Sequence, residues 1–351
     1  MTNYKFPGKL FLIGEYFITE PHGEAVIAAV NRFINVSSKK SATFKLRSDY
    51  GSIDGLKKDV KSKDIEIANM AVNFTYDYLD YLNVKKQMLS LELNSTLLVK
   101  DKKIGLGSSG VVIVAITQTI LKEHNIHLSK LEQFKFAVLC QRMISSQGSS
   151  GDIAAAVYGG IIHYQAYDFE WLNRQMIRYD LIKKPWPLLQ IDAIKLKGHY
   201  KLEFGWTQST NGTNGYLDTF SKWKSKNPKT YQIFTKEALT YVKMFIQGDT
   251  KTAIKKYRQL MLKLQDETLL NIETNQLKQA IEIVERHHGF AKVSGSGGGD
   301  CLFALIDDNT DVMEIKRLWQ DVKIVPLELE VWDDNTFKKK RRACEVSARS
   351  A

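Results

Sequence analysis

Apolar and polar residues follow two different periods in the first half of the chain. The alternation and β-branched content typical of strands occur in residues 4–18, 25–48 and 88–93. Apolar residues at helical spacing occur in residues 65–82 and 111–124. Strands and helices are therefore predicted to intermix in this part of the chain.

The next part of the chain, from residue 129 onward, starts with mixed elements and then becomes helical. Ser129 and Glu132 have the spacing of a capping box, which predicts a helix from there to about Ser146. Asp152 opens a short helical run that ends before Gly159. Further strands are predicted at residues 161–164, 188–196 and 200–206. A polar loop at 207–215 then precedes a helical region at 230–288.

The last elements alternate again between strand and helix. Strands are predicted at residues 291–293, 301–306 and 323–331, with a helix at 311–319. Strand, loop, strand, helix, strand resembles a split βαβ sandwich. The prediction is an α+β fold of two lobes, residues 1–205 and 206–335, followed by a basic tail at 336–351 that we expect to be disordered.

Composition narrows the choice of partners without deciding it. The chain has 351 residues and a formal net charge of +11, which favours nucleic acid, anionic membranes or phosphorylated small molecules. It lacks a secretory leader pattern and any apolar run long enough to span a bilayer, so a cytoplasmic protein is expected. The three cysteines are widely spaced and predict neither a disulfide framework nor a zinc site.

Three short segments carry the chemistry that can be recognised in the sequence. They are Pro7 to Tyr16, Gly105 to Gly110, and Ser294 to Asp300. The second segment lacks the Walker A pattern, yet its small residues precede a predicted helix, where free N–H groups and the helix dipole attract phosphate. The Ser108 and Ser109 hydroxyls can also be offered to Mg²⁺. Such loops suit phosphoryl transfer, which mainly requires positioning and charge neutralisation.

The order and spacing of these segments resemble the GHMP kinases, over residues 4 to about 331. Gly14-Glu15-Tyr16, Thr19-Glu20-Pro21 and Gly205-Trp206-Thr207 look most similar to the bacterial phosphomevalonate kinase branch. The resemblance implies a ribosomal protein S5 domain 2-like amino-terminal lobe and a ferredoxin-like carboxyl-terminal lobe. It also implies ATP and Mg²⁺ as cofactors, and phosphorylation of 5-phosphomevalonate to 5-diphosphomevalonate in the mevalonate route to isoprenoids.

The resemblance also assigns roles to residues. Lys9 and Asp152 are the implied catalytic residues, although Asp152 is equally explained as a helix cap. The implied nucleotide-binding residues are Lys103, Gly105, Leu106, Gly107, Ser108, Ser109 and Gly110, with Ser108 and Ser109 at the metal. The implied substrate-binding residues are Lys9, Glu15, Tyr16, Ser149, Ser150, Gly151, Ser294, Gly295, Gly297 and Gly298.

Some alternatives stay open at this point. Mevalonate kinases carry a magnesium-binding glutamate where this chain has Gln141, a weaker ligand. Mevalonate kinase or another GHMP small-molecule kinase is the second hypothesis. An RNA-binding protein is a distant third, because no RNP-like or basic Gly-x-x-Gly loop accompanies the positive charge. We expect no nucleic-acid or membrane partner, and a monomer or homodimer.

Overall fold

The computed structural model describes residues 1–49, 51–57, 60, 63–99, 102–144, 148–209 and 213–333. The strands of this part are β1 (Thr2–Ile13), β2 (Glu24–Lys40), β3 (Lys45–Ser48), β4 (Gly51–Asp54), β5 (Leu89–Ser95), β6 (Leu98–Val99), β7 (Lys102–Lys103), β8 (Ile161–Gln165), β9 (Gln190–Ile194), β10 (Tyr200–Trp206), β11 (Phe290–Ser294), β12 (Cys301–Asp307) and β13 (Val325–Leu327). The helices are α1 (Lys63–Tyr81), α2 (Ser108–Glu123), α3 (Lys130–Arg142), α4 (Gly151–Tyr158), α5 (Phe169–Asn173), α6 (Thr213–Lys226), α7 (Pro228–Gln247), α8 (Thr250–Thr268), α9 (Asn275–Arg286) and α10 (Val312–Asp321).

The first sheet is organised around the long strand β2. Its amino-terminal part pairs with β8 and its carboxyl-terminal part with β5, while β1 runs antiparallel along its other side. β3, β4 and β9 complete the sheet, in which only the pairing of β3 with β5 is parallel among the described strands. α2 packs on β1 and β2 and is apolar on nearly all sides, as a helix enclosed by other elements should be. This packing fixes where the amino end of α2 points.

The second sheet has the strand order β11-β12-β10-β13, with every neighbouring pair antiparallel. α9 and α10 cover one face and share a separate apolar cluster with it, including Ile281 and Trp319. The mixed α+β architecture predicted from the sequence is confirmed. The predicted lobe boundary after residue 205 falls within β10, which is an inner strand of the second sheet.

The chain returns to the first sheet after the second one is complete. Val331 forms a β-bridge with Val30, and the N–H of Trp332 donates to the carbonyl of Ala29 at 2.8 Å. The Trp332 carbonyl in turn accepts from the N–H of Gly160 at 2.6 Å. The predicted strand 323–331 is therefore two pieces, β13 and this bridge, which belong to different sheets.

Several predicted element ends differ from the structure for local reasons. β1 stops at Ile13 rather than residue 18, because Gly14 (φ 104°) and Tyr16 (φ 60°) turn the chain into a short 3-10 helix at Phe17–Thr19. The capping box at Ser129 and Glu132 is present, but α3 ends at Arg142. Ser145, Ser146 and the basic tail at 336–351 lie outside the described residues. Within those residues, no helix has the length and apolar character needed to cross a bilayer.

Candidate active site

The three segments singled out in the sequence meet at one cleft of about 660 Å³. Of the residues predicted for the site, those that line it are Lys9, Glu15, Tyr16, Lys103, Gly105, Leu106, Gly107, Ser108, Ser109, Ser149, Ser150, Asp152, Ser294 and Gly295. Residues separated by nearly 300 positions are therefore neighbours in space. Gly110, Gly151, Gly297 and Gly298, also predicted for the site, are not among the residues that line the cleft.

The glycines of the second segment make room for side chains from distant parts of the chain. Gly105 and Gly107 both have φ 76°, a left-handed conformation that glycine adopts without strain. A Cβ atom at Gly105 would lie 2.8 Å from Asp300, and one at Gly107 would lie 2.8 Å from Asp152. At Gly110 the corresponding distance to an Asp152 carboxylate oxygen would be 2.4 Å. The glycine spacing thus follows from the close approach of two carboxylates.

The amino end of α2 faces the cleft, and the residue that precedes the helix does not cap its first turn. Gly107 occupies the N-cap position and has no side chain to accept a hydrogen bond. Ser108 and Ser109 follow it and line the cleft. Exposed N–H groups and the positive end of the helix dipole make this end suitable for an anion.

Lys9 is held on β1 next to the second segment. Its backbone N–H donates to the carbonyl of Leu106 at 3.0 Å, and its Nζ donates to the carbonyl of Gly105 at 3.3 Å. The ammonium also lies 4.9 Å from the centre of the Phe11 ring, and the residue is 9% exposed. This lysine is therefore a confined charge at the cleft wall, not a solvated surface group.

Asp152 connects two helices at the cleft. It is the second residue of α4, whose N-cap Ser150 turns the chain sharply with a φ of 58°. Its Oδ2 accepts the N–H of Gly110 in α2 at 3.0 Å, and its Oδ1 accepts the N–H of Ile153 in α4 at 3.0 Å, so it binds a first-turn N–H of both helices. Burial raises the pKa of Asp152, while the positive charge of Lys9 and hydrogen bonds from backbone N–H groups act in the opposite direction.

Asp300 also lines the cleft, although it is not among the predicted site residues. Burial raises its pKa to about 6, against the lowering effect of Lys9. Its backbone has a φ of 53° and is held by two hydrogen bonds. The Asp300 N–H donates to the carbonyl of Ser209 at 2.8 Å, and the Asp300 carbonyl accepts from the N–H of Thr207 at 3.0 Å. Its Oδ1 is buried without a hydrogen-bond partner among the described residues. An acidic residue directly after three glycines was the available signal.

The first and third segments are joined by side chains. The Tyr16 hydroxyl donates to the carbonyl of Ser296 at 2.6 Å, and burial raises the pKa of this tyrosine well above its usual range. Glu15 forms an ion pair with Lys292 of β11. The N–H of Gly298 donates to the carbonyl of Ile272 at 2.9 Å. That amide is therefore directed to Ile272.

The loop before α4 is tied into the first lobe. Ser150 is buried, and its hydroxyl donates to Gln141 Oε1 at 2.8 Å. The Tyr167 hydroxyl, 3.3 Å from that of Ser150, accepts from Arg142 at 2.9 Å. The Ser149 carbonyl accepts from another tyrosine hydroxyl. Gln141, left out of the predicted site, lines the cleft and orients Ser150.

A second cavity of about 150 Å³ adjoins the cleft and shares Lys103, Ser108 and Ser109 with it. Its remaining lining includes apolar side chains, among them Ile34, Ile67, Leu93 and Val112. A molecule with a planar apolar part and an anionic part can occupy both cavities across the amino end of α2.

Comparison with known proteins agrees with this arrangement. Residues 68–160 match the family model "GHMP kinases N terminal domain", and residues 250–323 match "GHMP kinases C terminal". The phosphomevalonate kinase of Streptomyces sp. strain CL190 is 29% identical, in a match covering 92% of this chain and 95% of that protein.

Two solved structures have the same fold over almost their whole length. The Lin0012 protein from Listeria innocua gives a TM-score of 0.88 at 28% identity, covering 94% of this chain and 98% of the other. Streptococcus pneumoniae phosphomevalonate kinase, in complex with phosphomevalonate and AMPPNP, gives 0.82 at 24% identity, covering 94% and 99%. With both family domains matched in order and the fold shared along the chain, this protein belongs to the GHMP kinases.

Proposed function

We propose that this GHMP kinase is a phosphomevalonate kinase, which transfers the terminal phosphoryl group of ATP to 5-phosphomevalonate and forms ADP and 5-diphosphomevalonate. The observation that carries the proposal is the convergence of Lys9, the amino end of α2 and Asp152 on one cleft. The similarity to the Streptomyces enzyme along 92% of the chain supports this substrate.

For the nucleotide, we propose that the phosphates lie against Gly105 to Gly110 and the amino end of α2. The N–H groups of this turn and Lys103 supply positive potential there. The adjoining apolar cavity is a suitable place for the base, because it opens on the same residues. Gly110 contributes through its bond to Asp152 rather than by contacting the nucleotide.

The oxygen groups of the cleft fit Mg²⁺ bound mainly by phosphates. No group of three or more His, Cys, Asp or Glu side chains in the described residues could enclose a metal ion. Magnesium retains several waters and commonly takes only one or two protein ligands beside substrate phosphates. We propose that Ser108 or Ser109 supplies such a ligand. The ion would supply charge neutralisation on the transferred phosphoryl group.

For the acceptor, we propose that Lys9 neutralises the charge that develops during transfer and that Asp152 orients the attacking oxygen. A phosphate monoester has a second pKa near 6, so at neutral pH its oxygen is already mostly deprotonated. A kinase for such an acceptor needs no strong general base, whereas one acting on a hydroxyl does. The mixed surroundings of Asp152, held by N–H groups and Lys9, suit an orienting role.

The remaining predicted substrate residues divide into two groups. Glu15, Tyr16, Ser149, Ser150, Ser294 and Gly295 line the cleft and are proposed to face the acceptor. Gly151, Gly297 and Gly298 are proposed to act on the backbone conformation of their loops. At Gly297 a Cβ atom would lie 2.4 Å from the carbonyl of Ile272, so only glycine fits.

An ADP-release assay with a panel of acceptors tests the proposal. The panel contains 5-phosphomevalonate, mevalonate, galactose and homoserine, with ATP and MgCl₂ in excess. We expect 5-phosphomevalonate to have the highest kcat/KM and mass spectrometry to identify a diphosphate product. Preferential turnover of mevalonate would overturn the proposed substrate while leaving the kinase class intact.

A further inference from the structure

A buried ion pair joins the two lobes directly beside the cleft. Lys292 on β11 is 1% exposed, and its Nζ lies 2.5 Å from Glu15 Oε1 and 2.6 Å from the carbonyl of Val293. The ring centres of Tyr257 and Phe303 each lie 5.6 Å from the ammonium. Lys292 has no role in the reaction proposed above.

A contribution to folding stability does not explain well why this ion pair is present. Removing two charges from water is costly, and well-packed apolar residues in place of a buried ion pair are often equally stable. Burial lowers the pKa of Lys292, and the carboxylate of Glu15 acts in the opposite direction. A charged pair in this position therefore suggests a use in the site.

The two oxygens of Glu15 are treated differently. Oε1 accepts from Lys292 and, at 3.4 Å, from the N–H of Gly295. Oε2 is buried and has no donor among the described residues, although Glu15 is 3% exposed and lines the cleft. A carboxylate can only accept hydrogen bonds, and a buried acceptor without a donor is destabilising. A donor on a bound molecule would remove that cost.

We propose that Lys292 is a positioning residue, which fixes Glu15 so that Oε2 accepts a hydrogen bond from a hydroxyl group of the acceptor substrate. The inference rests on the proposed function. A carboxylate repels phosphate and carboxylate groups, so the matching group is a neutral hydroxyl. 5-Phosphomevalonate carries one tertiary hydroxyl between its carboxylate and its phosphate.

The same contacts couple this hydroxyl to the third segment. Lys292 precedes Ser294 by two residues on β11, and Glu15 Oε1 binds the N–H of Gly295. Tyr257, from α8, donates its hydroxyl to the carbonyl of Glu15 at 2.7 Å. Loss of the pair should therefore affect acceptor binding more than nucleotide binding, since the nucleotide-facing segment Gly105 to Gly110 makes none of these bonds.

The test compares wild type, Lys292→Met, Glu15→Gln and the double variant Glu15→Gln/Lys292→Met. Each single variant leaves a charge or an acceptor without its partner and should lower the melting temperature, whereas the double variant should recover most of it. We expect the double variant to keep an acceptor KM raised about tenfold, the scale of one hydrogen bond to a charged group. Its affinity for the nucleotide, measured by calorimetry, should stay within about twofold of wild type.

A substrate analogue makes the test specific to the hydroxyl. 5-Phosphomevalonate lacking the tertiary hydroxyl should have a KM raised about tenfold for wild type and little further change for the double variant, because both changes remove the same bond. Lys316→Met is the matched control, since Lys316 pairs with Glu203 on the second sheet, away from the cleft. It should leave the acceptor KM unchanged.

Two results would overturn the inference. One is a double variant with wild-type acceptor KM, and the other is an equal penalty for the deoxy analogue in wild type and double variant. Failure of the wild type to phosphorylate 5-phosphomevalonate would instead overturn the proposed function. The same four proteins would then decide the role of Lys292 with whichever acceptor of the panel is phosphorylated.

Discussion

The two walls of the cleft are built in different ways. The wall from the first lobe consists of the backbone of Gly105 to Gly110 and the amino end of α2. The wall from the second lobe consists of Ser294, Gly295, Ser296 and Asp300, held by side chains that reach across from Tyr16 and Glu15. Backbone N–H groups serve any phosphate, whereas individually placed side chains can discriminate between acceptors.

Lys9 lies where the two walls meet. It donates to Gly105 in the first wall, and its charge acts on both Asp152 and Asp300. No direct ion pair joins it to either carboxylate within the described residues, so the ammonium keeps its capacity to interact with a bound anion. Single substitutions in each wall should separate these roles.

Removing the charge between the walls should have the largest effect. Lys9→Met is expected to lower kcat about 10²–10³-fold, the usual scale for losing one preorganised electrostatic contact to the transition state. Calorimetry should still detect nucleotide binding, because the variant loses one hydrogen bond to Gly105 but keeps the amino end of α2 and its N–H groups. Lys130→Met, whose ammonium donates to the carbonyl of Tyr158, is the control and should retain full activity. Near-normal turnover by Lys9→Met would contradict a catalytic role.

Adding a methyl group at Gly107, in the first wall, should have the next largest effect. Gly107→Ala places a methyl group 2.8 Å from Asp152 and 2.9 Å from Lys9. Displacing these groups by a fraction of an ångström should lower kcat about 10²-fold, since rates depend steeply on alignment. Gly160→Ala is the matched control, with a similar φ of 69° and nothing within 4 Å of the added atom. Equal activity losses in both variants would show that backbone strain alone is responsible.

In the second wall, neutralising Asp300 should stabilise the free protein. The folded-state pKa is raised from 3.8 to about 6, so the folded state disfavours the ionised form, and the cost is fully present above pH 6. The shift corresponds to at most about 3 kcal/mol, and partial solvation reduces the expected gain for Asp300→Asn to ~1–2 kcal/mol. Melting temperatures should show this gain at pH 8 and a smaller one at pH 5. The same gain at both pH values would refute the titration of Asp300 as its cause.

The smallest effect is expected for the contact between Tyr16 and the second wall. Tyr16→Phe removes the hydrogen bond to Ser296 but keeps the ring beside Phe220, at 5.3 Å between centroids. A loss of about 0.5–1.5 kcal/mol in unfolding free energy is expected. Urea denaturation would measure it, with Tyr81→Phe at an exposed position as the control. A larger loss would mean that the contact also supports the packing between the lobes.

The sequence was informative wherever a feature depends on neighbouring residues. The capping box at Ser129 and the helix after Gly110 follow from local spacing, and both are confirmed. The α+β class also followed from the two hydrophobic periods. The loops at Gly105 to Gly110 and Ser294 to Asp300 could be predicted for the same reason, since consecutive small residues mark a turn of the backbone.

Features that depend on distant residues were missed or misplaced. Nothing local distinguishes β10 as part of the second sheet, because its partners β12 and β13 come about a hundred residues later. Lys292 reads as a lysine in an ordinary strand until its contact with Glu15 is known. Asp300 likewise gains its significance from Gly105, on the opposite wall. Long-range contacts of this kind have no periodic signal.

The hydrogen bonds between Trp332 and the first sheet have a consequence for biosynthesis. The carbonyl of Ala29 and the N–H of Gly160 are both hydrogen-bonded to Trp332, near the carboxyl end of the described residues. During translation, the amino-terminal lobe therefore lacks these two hydrogen bonds until Trp332 has been synthesised and has left the ribosome. Nascent chains stalled before residue 330 should expose this edge and be bound by chaperones more strongly than full-length protein.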